Sequence, residues 1–177
     1  MSGASGAGDQ DDDIGIVALD GVGAVTPLLG TAFQERNAEV SPDGRWLTYE
    51  SDESGQLEIH VRPFPDVDGG RWQVSTSGGT QPVWAPDGRE LFYRSGDALM
   101  AVPIETGQGF MWGNPAVLFE GQFAPSLGGR NYDVSPDGQQ FLMLKLGSVD
   151  DVPDAPEARI TIVQNWFEEL RRLVPTD

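Results

Sequence analysis

Short runs of large apolar residues alternate with polar ones along most of the chain, with the period of two that a β-strand requires. The clearest runs follow three Pro-Asp-Gly turns and cover residues 46–49, 91–93 and 141–144. In each run, large side chains fall on both faces of the predicted strand. A sheet that is apolar on both faces must be covered on both sides, so the pattern predicts a buried sheet.

These strands belong to a repeat. The segment 37–45, Asn-Ala-Glu-Val-Ser-Pro-Asp-Gly-Arg, returns with substitutions as 81–89 and 131–139, and its prolines lie 44 and then 50 residues apart. Pro presets φ, Asp accepts backbone hydrogen bonds and Gly takes a positive φ, so the tripeptide favours a tight hairpin. We interpret the aspartates of these turns as structural, and metal ligation is the weaker alternative for Asp43, Asp87 and Asp137.

Further strand-like runs follow each hairpin. Third strands are predicted at residues 57–61, 98–102 and 160–163, and fourth strands at 71–75 and 116–119. Four antiparallel strands in a period of roughly 40 to 50 residues are typical of a β-propeller blade. We predict an all-β fold of about three such blades with a short C-terminal helix, divided into a disordered lead-in (1–13), a half blade (14–30), two blades (31–76 and 77–121), an incomplete blade (122–164) and the helix (165–174).

Closure of the ring is the open question at this stage. A propeller has about four to eight blades, so about three would leave faces and strand edges exposed. A second copy of the chain, or further blades of a longer protein, would complete the ring. The helix begins at Asn165, which forms a capping box with Glu168, and its apolar stripe packs on a neighbouring blade or docks a partner chain.

Charge limits the partners of this protein. Its 177 residues include 28 acidic and 11 basic side chains, and the net charge of −17 repels nucleic acid and anionic membrane surfaces. No stretch approaches the roughly 20 apolar residues of a membrane-spanning helix. No cysteine is present for a disulfide, a thiolate metal site or a thiol nucleophile. We expect neither a nucleic-acid partner nor direct membrane insertion.

The residues offer little for catalysis. The Gly-x-Ser-x-Gly motif is absent, and the single histidine, His60, lies in a predicted strand beside Glu58 and Arg62, as an ordinary strand residue would. One histidine and scattered carboxylates lack the spacing of a metal site. We predict no enzyme activity, catalytic residue, metal or cofactor; a hydrolase or lyase site in the channel is an alternative that only fold analogy supports.

Binding is favoured instead, because a propeller gathers loops from every blade around one channel. The repeats place an amide, and the residue before it, at one equivalent position ahead of each innermost strand: Arg36 and Asn37, Thr80 and Gln81, and Arg130 and Asn131. We predict that these residues rim the mouth of the channel and contact a peptide or an anionic group. The alternative is that each amide caps its own blade.

The Ser-Pro-Asp-Gly turns, the period and the four-strand unit resemble the TolB-type, WD40-like β-propeller repeats of bacteria, over about residues 14–174. Segments 130–138 and 160–170 resemble the close of propellers fused behind bacterial serine/threonine protein kinases. The chain supplies only about half of six blades and lacks a kinase domain, so kinase activity is not expected of it.

This resemblance implies a non-catalytic platform for protein or peptide binding, often with six blades. We therefore expect two copies to complete a six-bladed ring as a homodimer. The alternative is that the chain is the C-terminal fragment of a larger bacterial sensor or kinase-linked propeller protein. TolB-like relatives suggest the periplasm or cell envelope, and the sequence itself contains no export signal.

Overall fold

The structure is a computed structural model that describes residues 12–19, 23–107, 109–126 and 128–145. These residues form antiparallel β-sheets and one short 3-10 helix, with no α-helix among them, and the predicted all-β fold class is confirmed. The predicted strand at 160–163 and helix at 165–174 lie outside the described residues. The strands are β1 (Ile14–Val17), β2 (Val25–Leu29), β3 (Glu35–Val40), β4 (Trp46–Ser51), β5 (Glu58–Pro63), β6 (Trp72–Gln73), β7 (Thr80–Trp84), β8 (Glu90–Ser95), β9 (Ala98–Glu105), β10 (Met111–Trp112), β11 (Ala116–Glu120), β12 (Tyr132–Val134) and β13 (Phe141–Met143).

The strands assemble into four sheets in chain order. β1 pairs with β2 in a half blade, β3–β4–β5–β6 form blade 1, and β7–β8–β9 with β10 and β11 form blade 2. Blade 3 consists, among the described residues, of the pair β12–β13. Apart from β10 and β11, which both pair with β9, strands that are consecutive within a blade are neighbours in its sheet, which is the up-and-down order of a propeller blade.

The outer strands depart from the sequence expectation. β6 covers two residues, whereas the sequence predicts a strand over 71–75, and β9 runs to Glu105 and is longer than the predicted 98–102. The extra residues of β9 allow two outer strands to pair with it: β11 pairs with its start and β10 with its end. A residue-by-residue alternation pattern cannot show how many partners one strand edge will take.

Hydrogen bonds confirm the structural role of the Pro-Asp-Gly turns. Asp43 Oδ1 accepts from Ser41 Oγ at 2.6 Å and from the backbone N–H of Arg45 at 3.1 Å, and Gly44 has a φ of +72°. The Asp carboxylates of the other two turns accept the equivalent backbone N–H at 3.0 Å. The described residues contain no group of three or more potential metal ligands.

The core lies between blades, as the two-sided apolar pattern predicts. Blade 2 buries one face against blade 1 and the other against blade 3, and blade 1 also packs on the half blade. Three clusters result: Leu29, Leu47, Tyr49 and Val67 between the half blade and blade 1; Trp46, Ile59, Val61, Trp84, Leu91 and Val102 between blades 1 and 2; and Val83, Phe92, Leu99 and Tyr132 between blades 2 and 3.

Candidate functional site

The innermost strands of blades 1 and 2 are interrupted by a bulge at the same repeat position. The register of β3 against β4 shifts between Arg36 and Glu39, and that of β7 against β8 shifts between Thr80 and Val83. Asn37 and Gln81 occupy the bulges with φ of +52° and +56°. Positive φ is uncommon in non-glycine residues and is tolerated best by residues such as Asn, so surrounding contacts must hold both bulges.

The contact that holds the first bulge is a buried carboxylate, Glu50 on β4. Glu50 accepts hydrogen bonds from Arg36 Nε at 3.0 Å, from Asn37 Nδ2, and from the backbone N–H of Gln81 at 2.6 Å. The last of these donors belongs to blade 2, so one carboxylate joins two blades. Sequence reasoning missed Glu50. The available signal was that a charged residue, Glu50, shares the buried face of β4 with Thr48.

The second bulge is tied to blade 3 in a different way. The side-chain Oε1 of Gln81 accepts from the backbone N–H of Asn131 at 3.0 Å, and the Tyr132 hydroxyl donates to the backbone carbonyl of Gln81 at 2.7 Å. Asn131 Nδ2 donates to the backbone carbonyl of Ala124. Burial raises the pKa of Tyr132 far above its ordinary value, which keeps this donor protonated. Gln81 therefore links blades 2 and 3, whereas the side-chain amides of Asn37 and Asn131 bond within their own blades.

A third contact spans from blade 1 to blade 3. Arg130 NH1 lies 3.3 Å from Glu39 Oε2, which also accepts from the backbone N–H of Trp84 at 3.2 Å. Arg130 NH2 lies 3.7 Å from Asp133. Beside this contact is a cavity of about 430 Å³ lined by Asn37, Ala38, Glu39, Pro82 and Arg130. The cavity thus touches three successive innermost segments.

The structure brings most of the predicted rim residues together, but with unequal access. The side chains of Arg36 and Arg130 are 30% and 36% exposed, whereas Gln81 is buried. Thr80 is half-buried and pairs with Arg94 across β7 and β8. Of the six, the two arginines combine a cationic head with access to solvent, and they are the groups that an incoming anion would meet first.

His60 lies away from this cluster, in the sheet of blade 1. It is buried, stacks on Tyr49 with ring centroids 5.6 Å apart, and neither ring nitrogen has a hydrogen-bond partner. Burial lowers its pKa, so the ring is neutral at neutral pH. Tyr49 in turn accepts from Arg62 Nε at 2.9 Å. These contacts are those of a packed strand residue.

Glu39 should make folding stability depend on pH in a characteristic direction. Burial raises its pKa above 4.5, and this effect outweighs the pull of Arg130. The folded chain then holds the proton more tightly than the unfolded chain, so stability falls as pH rises from about 4.5 through the raised value. Glu39→Gln removes that cost. Urea unfolding from pH 4 to 7 should show the variant gaining stability relative to wild type as pH rises.

The matched control is Glu53→Gln. The hydrogen bond from Arg71 lowers the pKa of Glu53, so its contribution is present above the ordinary glutamate pKa and is lost as pH falls. This variant should lose stability relative to wild type as pH rises, the opposite slope. Two parallel curves would contradict the assignment of the Glu39 burial cost.

The described residues contain no helix long and apolar enough to cross a membrane.

Comparison with known proteins supports the fold. No family model matches the chain, and a search of curated proteins found no match. A solved structure of a candidate TolB from Agrobacterium tumefaciens is similar at 22% sequence identity with a TM-score of 0.51, over 76% of this chain and 51% of that one. The chain thus has a TolB-like propeller fold and spans about half the length of that structure.

Proposed function

We propose that this protein is a non-catalytic, protein- or peptide-binding propeller module whose ring is completed by a second copy. The observation that carries the binding role is the cavity beside Arg130, which is lined by three innermost segments and contains one cationic side chain, Arg130, paired with Glu39. Rigid blades hold these groups in place, so a ligand would meet a preorganised site.

The chemistry of the site favours a ligand with a carboxylate. Arg130 is held by a long contact to Glu39 at 3.3 Å and by a weaker one to Asp133 at 3.7 Å. A ligand carboxylate that binds the Arg130 guanidinium in a bidentate manner can replace these contacts with two shorter hydrogen bonds. Arg36 is less available, because its Nε is committed to buried Glu50.

The binding role is tested with peptides recovered from a random 12-residue library panned on the whole chain. Arg130→Ala should weaken their affinity about tenfold or more, which is roughly 1.4 kcal/mol. The control is Arg71→Ala, since Arg71 forms an exposed ion pair with Glu53 in blade 1. Equal affinity of wild type and Arg130→Ala for every recovered peptide would exclude the rim as the binding site.

A second candidate is the C-terminal part of a larger bacterial sensor or kinase-linked propeller protein. The similarity to about half of a solved propeller chain favours it, because the remaining blades would then belong to the same polypeptide. The two candidates differ in the mass of the folded chain in solution, which the experiment in the next subsection measures.

A further inference from the structure

Exposure at equivalent positions of the repeat shows one blade face that no other described residue covers. Thr48, Phe92 and Leu142 occupy the same position in the second strand of blades 1, 2 and 3, and each faces the following blade. Thr48 is buried and Phe92 is 3% exposed, whereas Leu142 is 77% exposed. Leu144 is also exposed, although its equivalents Glu50 and Arg94 are buried. Among the described residues, nothing covers this apolar face of blade 3.

The opposite end of the described blades has a matching gap. Val40, Trp84 and Val134 are equivalent residues of the innermost strands, and each faces the preceding blade. Trp84 is 3% exposed, but Val40 is 39% exposed. The half blade before it supplies only β1 and β2, which pack on Leu47 and Tyr49. The inner part of this face of blade 1, with Ala38 and Val40, stays open to solvent.

Between blades 2 and 3, the face that one blade turns toward the following blade packs against the face that the next blade turns toward the preceding one. Phe92, which faces forward from blade 2, packs against Tyr132, Val134 and Phe141 of blade 3, and the rings of Phe92 and Phe141 are 4.9 Å apart. Leu142 is the repeat equivalent of Phe92, and Val40 is the equivalent of Val134. The open faces are thus the two halves of a contact that the fold already makes between its own blades.

We infer that Leu142 and Leu144 of one copy pack against Ala38 and Val40 of a second copy. This inference rests on the proposed completion of the ring by self-association, and it names the surfaces that meet. A two-fold axis along the channel produces this contact twice. In each contact, Leu142 and Leu144 of one copy pack on Ala38 and Val40 of the other. The half blade of each copy then lies next to the pair β12–β13 of the other.

The apolar character of the contact fits the charge of the chain. At the two interfaces between the described blades 1, 2 and 3, the position of Leu144 carries an acidic or a basic residue, Glu50 or Arg94, whereas here it carries leucine. Two copies at −17 each repel one another, and burial of apolar surface at this contact opposes that repulsion. Salt screens the repulsion and leaves the apolar contact intact, so association should strengthen as ionic strength rises.

Cysteine cross-linking tests the contact directly, because the chain contains no native cysteine. Val40→Cys and Leu142→Cys are prepared separately, mixed, and oxidised or treated with a short bis-maleimide. Both positions are exposed, so the folded chain should accept either change. We expect cross-linked dimers in the mixture and none from either variant alone. Leu118→Cys on β11, also exposed, is mixed with Val40→Cys as the control and should give none.

Light scattering on the wild-type chain at tens of micromolar completes the test, and the expected mass is twice 19.1 kDa. A monomer would overturn both this contact and the ring of two copies. A dimer without the mixed cross-link would overturn the contact alone. Cross-linking of Leu142→Cys to itself would show that two forward faces meet, which also overturns it. Peptide binding is measured separately, so its failure is distinguishable from that of the interface.

Discussion

Replacement of Glu50 by alanine should destabilise the folded chain by about 3 kcal/mol or more. The carboxylate is fully buried and accepts from Arg36, Asn37 and the backbone N–H of Gln81. Alanine leaves the buried backbone N–H of Gln81 and the half-buried side-chain amide of Asn37 without this acceptor, and it removes one of the polar contacts between blades 1 and 2. The change is read from urea unfolding at a fixed protein concentration, because self-association would otherwise add to stability.

Two variants make the Glu50 result interpretable. Glu50→Gln keeps one acceptor oxygen and should fall between wild type and Glu50→Ala. Glu53→Ala removes a carboxylate of an exposed ion pair with Arg71, and a loss below about 1 kcal/mol is expected. If Glu50→Ala cost no more than Glu53→Ala, the buried hydrogen bonds of Glu50 would not contribute to stability as we infer.

Leu91→Ala should cost about 2 to 5 kcal/mol, the range for a buried leucine whose neighbours cannot close the cavity. Leu91 is completely buried between blades 1 and 2, in the cluster that also contains Trp84 and Val102. It pairs with both of these residues across β7 and β9, so strands on each side hold the cavity open. Tryptophan fluorescence follows the loss, since Trp46 and Trp84 lie in the same cluster.

The matched substitution is Leu118→Ala. Leu118 is the same residue type on the outer strand β11, where it is exposed, and a change within about 0.5 kcal/mol is expected. The dependence of free energy on urea should be the same in both variants if each unfolds in one step. Equal losses from the two substitutions would contradict the placement of the core between blades.

The amides of the candidate site show which features the alignment of the repeats can predict and which it cannot. Asn37 and Gln81 were aligned from the sequence, and the structure gives both the same bulge with the same sign of φ. Their partners could not be aligned, because Glu50 holds the first bulge to blade 2 while the Gln81 side chain itself holds blade 3. Equivalent positions of a repeat share a backbone, but the side chains that meet across blades differ at each interface.

Glu39 illustrates the same limit at longer range. In the sequence it is one of 28 acidic residues, within the repeated segment 37–45. Its contact with Arg130 crosses two blade interfaces and depends on how the innermost strands converge around the channel. Local alternation carries no information on that convergence.

The sequence by itself determined the turns, the four-strand unit and the burial of both sheet faces, because these follow from φ preferences and from the period of two within about fifty residues. The tertiary structure alone decided which carboxylates are buried between blades, which arginine remains accessible, and which two apolar faces stay open. These features depend on the packing of one blade against the next, where the free energy comes from surfaces that are distant in the chain.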